Sequence, residues 1–243
     1  MSIERVSTGI VGLDKLLNGG YPKNSVILVA GGPGSGKTTF AMQYIYHGAK
    51  SGEPGVYISF EQEPEQLKNS MKQFGMDFDE FEKEQKVIII RIKKAEDIKE
   101  VLKIIESNVK KINAKRLVID SLGSLEVLAL TFKSMMEEIP LQLRVGKLPI
   151  SPPKEAIIRK LMYNAIDYLK SLNVTTILTS EAINTEYSRY GIAEFIVDGI
   201  IKLEYQIVGK AMERNLSIIK MRETPIEGGR YGIEIGKKGL RIV

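Results

Sequence analysis

The sequence contains no cysteine and no tryptophan, and its single histidine is His47. Without cysteine, disulfide bonds and thiolate metal sites are excluded, and one histidine does not favour a transition-metal centre. No stretch approaches the ~18 consecutive apolar residues that a membrane-spanning helix needs. The first residues, Met-Ser-Ile-Glu-Arg, lack the apolar core of a signal peptide. We therefore expect a soluble, cytoplasmic protein.

The composition indicates an ordinary globular chain. It has 243 residues, of which 43% are hydrophobic, and this is enough to bury a sizeable core. We see no internal repeat, so we expect a single domain over residues 1–243. The net charge of +5 is compatible with nucleic-acid binding. However, a Lys/Glu-rich surface without cysteine is also typical of heat-adapted proteins, and a solvated mixed-charge surface is the simpler interpretation.

The strongest signal is an apolar run, residues 26–30, followed by GGPGSGKTT. It fits G-x-x-x-x-G-K-[ST], the phosphate-binding P-loop. Glycines permit backbone angles that let amide groups turn inward around an anion, and the following helix adds unpaired N–H donors. Lys37 is expected to reach the β- and γ-phosphates, and the Thr38 hydroxyl is expected to bind Mg²⁺. The predicted nucleotide contacts are Gly31, Gly32, Pro33, Gly34, Ser35, Gly36, Lys37, Thr38 and Thr39.

Three further predicted strands end in polar residues. Residues 117–119 form an apolar run that closes on Asp120, the Walker B pattern, so Asp120 is predicted to hold Mg²⁺. A second run, residues 56–60, ends in Glu61, and residues 174–179 lead to Ser180. Open α/β sheets bind ligands at the carboxyl ends of their strands. Ser180 is therefore predicted to contact the nucleotide and sense its γ-phosphate.

The rest of the chain predicts an α/β fold with a mainly parallel twisted sheet, flanked by helices and extended by antiparallel carboxy-terminal strands. The β-branched run at residues 87–90 indicates a strand covered on both faces. Paired strands are predicted at 199–205 and 214–221, with a tight polar segment between them. Residues 122–153 contain four prolines and are predicted to be a long, partly mobile loop region.

Several stretches together resemble the RecA-like ATPases of the KaiC family. They are STGIVGLDKLLNGGYPKNSVILVAGGPGSGKTTFAMQY, YISFEQEPEQL, LVIDSL, SRYGIAEFIVDGIIKLE and IIKMRETPIEGGRYGIEIGKKGL. They cover most of the chain outside residues 122–170, and the length corresponds to one KaiC-type domain. The resemblance implies a RecA-like P-loop fold and Mg²⁺-dependent ATP hydrolysis. It also implies a homo-oligomeric, hexameric ring with ATP between neighbouring subunits.

The resemblance also assigns roles to individual residues. Glu61 falls at the family's catalytic glutamate, which orients and deprotonates the attacking water. The family often has a second glutamate beside it, and Gln62 here departs from that pattern and favours slow hydrolysis. Lys220 and Arg222 align with basic fingers that reach the neighbour's phosphates, and Thr224 falls in the nucleotide-contacting part of the pattern.

The autophosphorylated Ser-Thr pair of the family's clock protein aligns near Glu194 and Phe195. The resemblance therefore implies no self-phosphorylation at these positions and no clock function.

Two other functions remain open from the sequence. One is a DNA-binding relative of RecA, whose candidate loops are residues 131–153 and 184–192. Their basic residues are Lys133, Arg144, Lys147 and Arg189. No array of alternating aromatic and basic residues suited to stacking single strands is visible in these loops. The other is a nucleotide-gated scaffold that hydrolyses slowly and signals to a protein partner by changing shape.

Overall fold

The structure is a computed structural model that describes residues 3–129, 154–181, 187–209 and 211–243. Within these ranges the chain alternates strands and helices. The strands are β1 (Arg5–Val6), β2 (Tyr21–Pro22), β3 (Val26–Gly31), β4 (Gly55–Ser59), β5 (Val87–Arg91), β6 (Arg116–Asp120), β7 (Thr175–Glu181), β8 (Gly199–Val208), β9 (Ala211–Met221), β10 (Arg230–Gly236) and β11 (Gly239–Ile242). The helices are α1 (Leu13–Leu16), α2 (Lys37–Lys50), α3 (Pro64–Lys72), α4 (Asp79–Lys83), α5 (Ile98–Lys111), α6 (Leu122–Ala129), α7 (Lys154–Ser171) and α8 (Ala193–Ile196).

A nine-stranded sheet organises the molecule, in the order β11-β10-β9-β8-β3-β7-β6-β4-β5. The six strands from β8 to β5 run parallel, and β9, β10 and β11 extend the sheet by antiparallel pairing. This arrangement confirms the predicted fold class. Because the central strands are parallel, β3, β4, β6 and β7 all end at the same edge of the sheet, which we call the carboxyl edge. The opposite edge is the amino edge.

Helices cover both faces of this sheet, and a hydrophobic core lies against each face. On one face, α2 packs with the amino-terminal segment around Val29, Tyr57 and Ile177. On the other, α5, α6 and α7 pack around Leu28 and Ile119. Among the residues that the structure describes, no helix has the length and apolarity needed to cross a membrane.

Helix α5 illustrates how the sequence specifies this packing. Its apolar side chains at Ile98, Val101, Ile105 and Val109 recur at helical spacing, and all four are buried. Each such burial contributes ~1.5–3 kcal/mol relative to an exposed side chain. The carboxylate of Asp97 caps the helix by accepting the amide of Glu100 at 2.8 Å, which satisfies one of the unpaired donors of the first turn.

The predicted loop over residues 122–153 is wrong at its beginning. Residues 122–129 form α6, because Leu122, Leu125 and Ala129 give the segment one apolar stripe that is buried against α7 and the sheet. Residues 130–153, which make up the rest of that region, lie outside the described residues.

Strand β5 lies at the edge of the sheet, and both of its faces are covered, as predicted. Val87 and Ile89 are buried in one core, and Ile88 and Ile90 are half-buried and pack against the core on the other face.

The β8–β9 hairpin is longer than predicted, because pairing continues beyond Tyr205–Arg214 to Gln206–Glu213 and Ile207–Met212. Most of the polar segment expected between the two strands therefore belongs to the strands, which are joined by a turn at Gly209.

Candidate nucleotide site

The glycine-rich loop connects the carboxyl end of β3 to the first turn of α2. Gly34 and Gly36 have φ angles of +75° and +102°, which L side chains rarely adopt. A Cβ on Gly32 or Gly34 would meet no heavy atom within 4 Å, whereas one on Gly36 would lie 2.7 Å from Ile235 Cδ1. The loop therefore packs against the protein at Gly36 and borders open space at Gly32 and Gly34.

The donors of this loop suit a phosphate group. Ser35 is fully buried, and its hydroxyl makes no hydrogen bond to any residue that the structure describes. The first amides of α2 also lack intrahelical partners, as in every α-helix, and the helix dipole makes this end positive. An unpaired buried hydroxyl beside unpaired amides is a donor set that an anion would satisfy.

Lys37 extends over the loop, and its ammonium group donates to the carbonyl oxygens of Gly31 at 2.8 Å and Gly32 at 3.0 Å. Burial lowers the pKa of Lys37, while the charges of Glu181, Asp120 and Glu61 act in the opposite direction. Three carboxylates thus lie close enough to act on this ammonium, and all three follow or end strands at the carboxyl edge.

Asp120 is held in one orientation by three hydroxyl groups. Its Oδ2 atom accepts from Tyr57 at 2.5 Å and from Thr38 at 3.2 Å, and its Oδ1 atom accepts from Thr179 at 2.5 Å. Burial and the charge of Asp120 raise the pKa of Tyr57 well above its usual value, so the phenol keeps the proton that it donates. The Thr38 hydroxyl and the Asp120 carboxylate, which contact each other, are oxygen ligands of the kind that Mg²⁺ prefers.

Glu61 and Ser180 line a cleft of about 870 Å³ at the carboxyl edge of the sheet. Glu61 follows β4 and is exposed, whereas Ser180 in β7 is buried. Lys94 and Arg189 also line this cleft. A solvent-accessible carboxylate at the wall of this cleft therefore also acts on the charge of Lys37.

Lys220 and Arg222 lie at the amino edge of the sheet. The Lys220 ammonium donates to the carbonyl oxygens of Glu194 at 3.0 Å and Val197 at 2.7 Å. The Arg222 guanidinium donates to the Asp198 carboxylate at 3.0 Å. Both cations thus contact the segment that leads into β8.

This position separates the two cations from the loop of their own chain. The amide of Arg222 bonds to the carbonyl of Asp198, and the amide of Asp198 bonds to the carbonyl of Val26, each at 2.8 Å. Gly31 lies five residues further along β3, which corresponds to ~16 Å of strand. Neither side chain reaches its own phosphate loop.

Thr224 also belongs to the amino edge. Its hydroxyl accepts from Arg5 at 2.8 Å and donates to the carbonyl of Arg222 at 3.2 Å. The structure therefore brings Lys37, Thr38, Asp120, Glu61 and Ser180 together and places Lys220, Arg222 and Thr224 apart from them.

Sequence reasoning missed three residues of the site: Tyr57, Thr179 and Glu181. Tyr57 and Thr179 donate hydrogen bonds to Asp120 alongside Thr38, and the charge of Glu181 acts on Lys37 together with those of Asp120 and Glu61. All three lie at or near the carboxyl ends of strands that the sequence did predict. Their position in those strands was the signal available to find them.

Of the basic residues in the candidate DNA loops, Lys133, Arg144 and Lys147 lie outside the described residues. Arg189 is exposed at the wall of the cleft, with its guanidinium 5.9 Å from the centre of the Tyr190 ring.

Comparison with known proteins agrees with this geometry. The family model described as "ATPase: KaiC" matches residues 6–145 and 144–243. A UPF0273 protein from Thermotoga maritima is 32% identical over 99% of this chain and 96% of its own length. The circadian clock protein KaiC3 from Synechocystis is 30% identical over 99% of this chain, which spans about half (46%) of that protein.

A solved structure is also similar. The crystal structure of a KaiC-like protein from the hyperthermophilic archaeon Pyrococcus horikoshii is 38% identical, with a TM-score of 0.82, and the match covers 100% of both chains. The family model covers nearly the whole chain, and the Synechocystis relative and the solved structure are both named after KaiC. The chain belongs to the KaiC family of RecA-like P-loop ATPases.

Proposed function

We propose that this chain is a Mg²⁺-dependent ATPase whose active sites are completed between copies of itself, arranged head to tail in a hexameric ring. The observation that carries the proposal is the division of its charged groups between two edges. The phosphate loop, Asp120 and Glu61 lie at the carboxyl edge, and Lys220 and Arg222 lie at the amino edge. A contact between the carboxyl edge of one copy and the amino edge of the next would unite them.

The loop would bind the triphosphate of ATP. Its amides and the Ser35 hydroxyl supply neutral donors, and Lys37 supplies the positive charge at the β- and γ-phosphates. Thr38 and Asp120 would hold Mg²⁺, which neutralises phosphate charge when bound. Tyr57 and Thr179 keep the Asp120 carboxylate directed towards Thr38.

Glu61 would act as the general base. It accepts a proton from a water molecule in the cleft while the water oxygen attacks the γ-phosphorus. The bond between that phosphorus and the β–γ bridging oxygen breaks, and ADP leaves with the electron pair. Lys37 remains beside the phosphate oxygens, where negative charge is spread in the transition state.

Lys220 and Arg222 of a neighbouring copy would supply the remaining positive charge. Cations directed at a transferring phosphoryl group stabilise its transition state more than the ground state, so they raise turnover rather than affinity. A head-to-tail contact uses two different surfaces and closes into a ring when the rotation allows. The ring and its number of subunits rest on the family resemblance.

The substitution Glu61→Gln tests the proposed base. The variant should bind Mg-ATP with a dissociation constant within about threefold of wild type, whereas single-turnover phosphate release should fall by ~10²–10⁴-fold. Glu65→Gln is the control, since Glu65 is an exposed glutamate four residues away, with 76% of its side chain accessible. Unchanged phosphate release in Glu61→Gln would refute the assignment.

The mass in solution tests the assembly. Light scattering with and without Mg-ATP should detect a multiple of 27.2 kDa, and phosphate release per chain should rise with protein concentration over the range in which this assembly forms. A monomer with full activity at every concentration contradicts the proposal.

Gln62 favours a second candidate function, a nucleotide-gated scaffold. It is exposed directly after Glu61, at the position where the family often has a second glutamate. If wild-type protein binds ATP tightly but hydrolyses it far more slowly than it exchanges nucleotide, shape change rather than turnover would be its output.

A further inference from the structure

The carboxylate of Glu194 joins helix α8 to the segment that precedes it. Its Oε1 atom accepts the amides of Tyr187 and Ser188, both at 2.7 Å, and its Oε2 atom accepts the Ser188 hydroxyl, also at 2.7 Å. Ser188 is fully buried. Charge-assisted hydrogen bonds of this kind are shorter and stronger than neutral ones. Three of them on one carboxylate fix the two segments relative to each other.

The backbone of the same short helix holds both amino-edge cations. The carbonyl of Glu194 accepts from Lys220 at 3.0 Å, and the carbonyl of Phe195 accepts from Arg222 at 3.3 Å. These two carbonyls, the carbonyl of Val197 and the Asp198 carboxylate therefore decide where the two long side chains point. The Asp198 side chain is itself held in place, because its Oδ2 atom accepts a hydrogen bond from the amide of Val26 at 2.9 Å, while its Oδ1 atom accepts from Arg222.

Helix α8 has only four residues, too few to be stable by its own hydrogen bonds. Its outer side is exposed, with 72% of Phe195 accessible. The inner side is held by Ala193 and Ile196, which pack into the core. Apolar packing sets how deep the helix lies but is non-directional. The carboxylate of Glu194 adds directional restraint, because it ties the helix to Tyr187 and Ser188.

We propose that Glu194 is a positioning residue for the neighbouring copy's active site. It orients α8, and α8 in turn presents Lys220 and Arg222 in the geometry that a triphosphate on the next copy requires. This inference rests on the proposed function, because it needs the two cations to act between copies. The Glu194 carboxylate bonds to Tyr187 and Ser188 and not to the glycine-rich loop of its own chain. Its loss should therefore impair the site completed by Lys220 and Arg222 while leaving ATP binding by its own loop intact.

The substitution Glu194→Ala removes all three bonds. We expect its kcat for ATP hydrolysis to fall at least about tenfold, because a positioning error of ~1 Å costs up to 10²-fold. Its dissociation constant for Mg-ATP and its mass in solution should stay within about twofold of wild type, since the loop is intact. Glu194→Gln keeps an oxygen acceptor and should recover part of kcat. The control is Glu213→Ala, an exposed glutamate on the same strand as Lys220, and it should leave kcat unchanged.

Paired variants test whether Glu194 acts between copies. Glu194→Ala and Lys37→Ala, each impaired alone, are co-produced so that mixed assemblies form. In roughly one quarter of their interfaces, an intact loop meets intact cations, so activity should recover to about that share of wild type. Glu194→Ala with Arg222→Ala provides no such interface and should not recover. The pair Arg222→Ala with Lys37→Ala serves as the reference for action between copies.

The outcomes distinguish a failure of the positioning role of Glu194 from a failure of the active site shared between copies. If Arg222→Ala with Lys37→Ala recovers and Glu194→Ala with Lys37→Ala does not, the positioning role is wrong and the shared active site stands. If neither pair recovers, the shared site is wrong and the positioning role falls with it. A wild-type kcat in Glu194→Ala overturns the inference directly. If Glu194→Ala fails to fold, Ser188→Ala, which removes only the Oε2 bond, must lower kcat without changing ATP affinity.

Discussion

Arg222 and Lys37 lie at opposite edges of the same sheet. The backbone of Arg222 is joined through Asp198 to Val26, where β3 begins, whereas Lys37 starts α2 just beyond Gly31, where β3 ends. Two cations so placed act on one triphosphate only when they come from different copies of the chain. The distance between them turns a head-to-tail assembly into a requirement of the proposed chemistry.

Arg222→Ala should separate turnover from binding. We expect kcat to fall by about 10²-fold or more, because a finger arginine stabilises charge that develops in the transition state. ATP affinity should change less than threefold, because the loop and Lys37 lie at the carboxyl edge of the sheet, away from the substituted Arg222 at the amino edge. Isothermal titration and a phosphate-release assay measure the two quantities. Arg230→Ala, an exposed arginine on β10, is the control, and a loss of ATP affinity as large as that of Lys37→Ala would contradict the prediction.

Gly34 and Gly52 form a matched pair for testing the phosphate loop. Their φ angles are +75° and +80°, and a Cβ at either would meet no atom within 4 Å. Substitution by alanine should therefore cost each variant a similar ~1–2 kcal/mol of stability from backbone strain. Only Gly34→Ala should also lose ATP affinity, because its Cβ points into the space beside the loop. Equal ATP affinities in the two variants, measured alongside urea denaturation, would show that Gly34 does not border the phosphate.

Gly48 leaves room for a buried arginine beneath α2. Arg116 is 1% exposed, and its guanidinium donates to the Glu53 carboxylate at 2.7 Å and to the carbonyl of Tyr44 at 2.8 Å. A Cβ added to Gly48 would lie only 2.2 Å from Cδ of Arg116. Gly48→Ala should therefore destabilise the protein by ~1–3 kcal/mol through overpacking, despite the better helix propensity of alanine. In an Arg116→Ala background the same change should be neutral or stabilising by up to ~1 kcal/mol. A double-mutant cycle measured by urea denaturation tests this contact. An equal change in the free energy of unfolding on Gly48→Ala in both backgrounds would be inconsistent with it.

Glu126 should make stability depend on pH. It is fully buried in α6, and burial raises its pKa from 4.5 to about 7, with the charge of Glu194 adding to the increase and Arg189 opposing it. The protonated form is therefore favoured by folding. The stability that protonated Glu126 contributes is therefore fully present below pH 4.5 and is lost as the pH rises through 7. A shift of this size corresponds to roughly 3 kcal/mol.

Glu126→Gln, which cannot ionise, should lack this loss. We expect the free energy of unfolding of Glu126→Gln, relative to that of wild type, to be higher at pH 8 than at pH 5 when both are measured by urea denaturation. The exposed control Glu65→Gln should show no such increase. If the free-energy difference between Glu126→Gln and wild type is the same at both pH values, the carboxyl of Glu126 titrates normally.

Local pattern was sufficient for much of the fold and for locating the glycine-rich loop and Asp120 at the ends of β3 and β6. The apolar runs that became β3, β6 and β7 and the helical stripe of α5 were readable because each depends on spacing within one segment. Helix α6 was not, since the prolines that follow it made the whole region look irregular. The length of the β8–β9 hairpin was underestimated because the tip of the hairpin is exposed and carries polar residues. Such a sequence resembles that of a loop.

The sequence by itself determined the phosphate loop, the acid at the end of β6 and the family, because glycine spacing and a Lys-Thr pair carry their chemistry within a few residues. Only the tertiary structure decided that Tyr57 and Thr179 hold Asp120, and that Lys220 and Arg222 lie an entire strand length from Lys37. Those relationships join residues far apart in the chain. They depend on strand order and register, which no local pattern encodes.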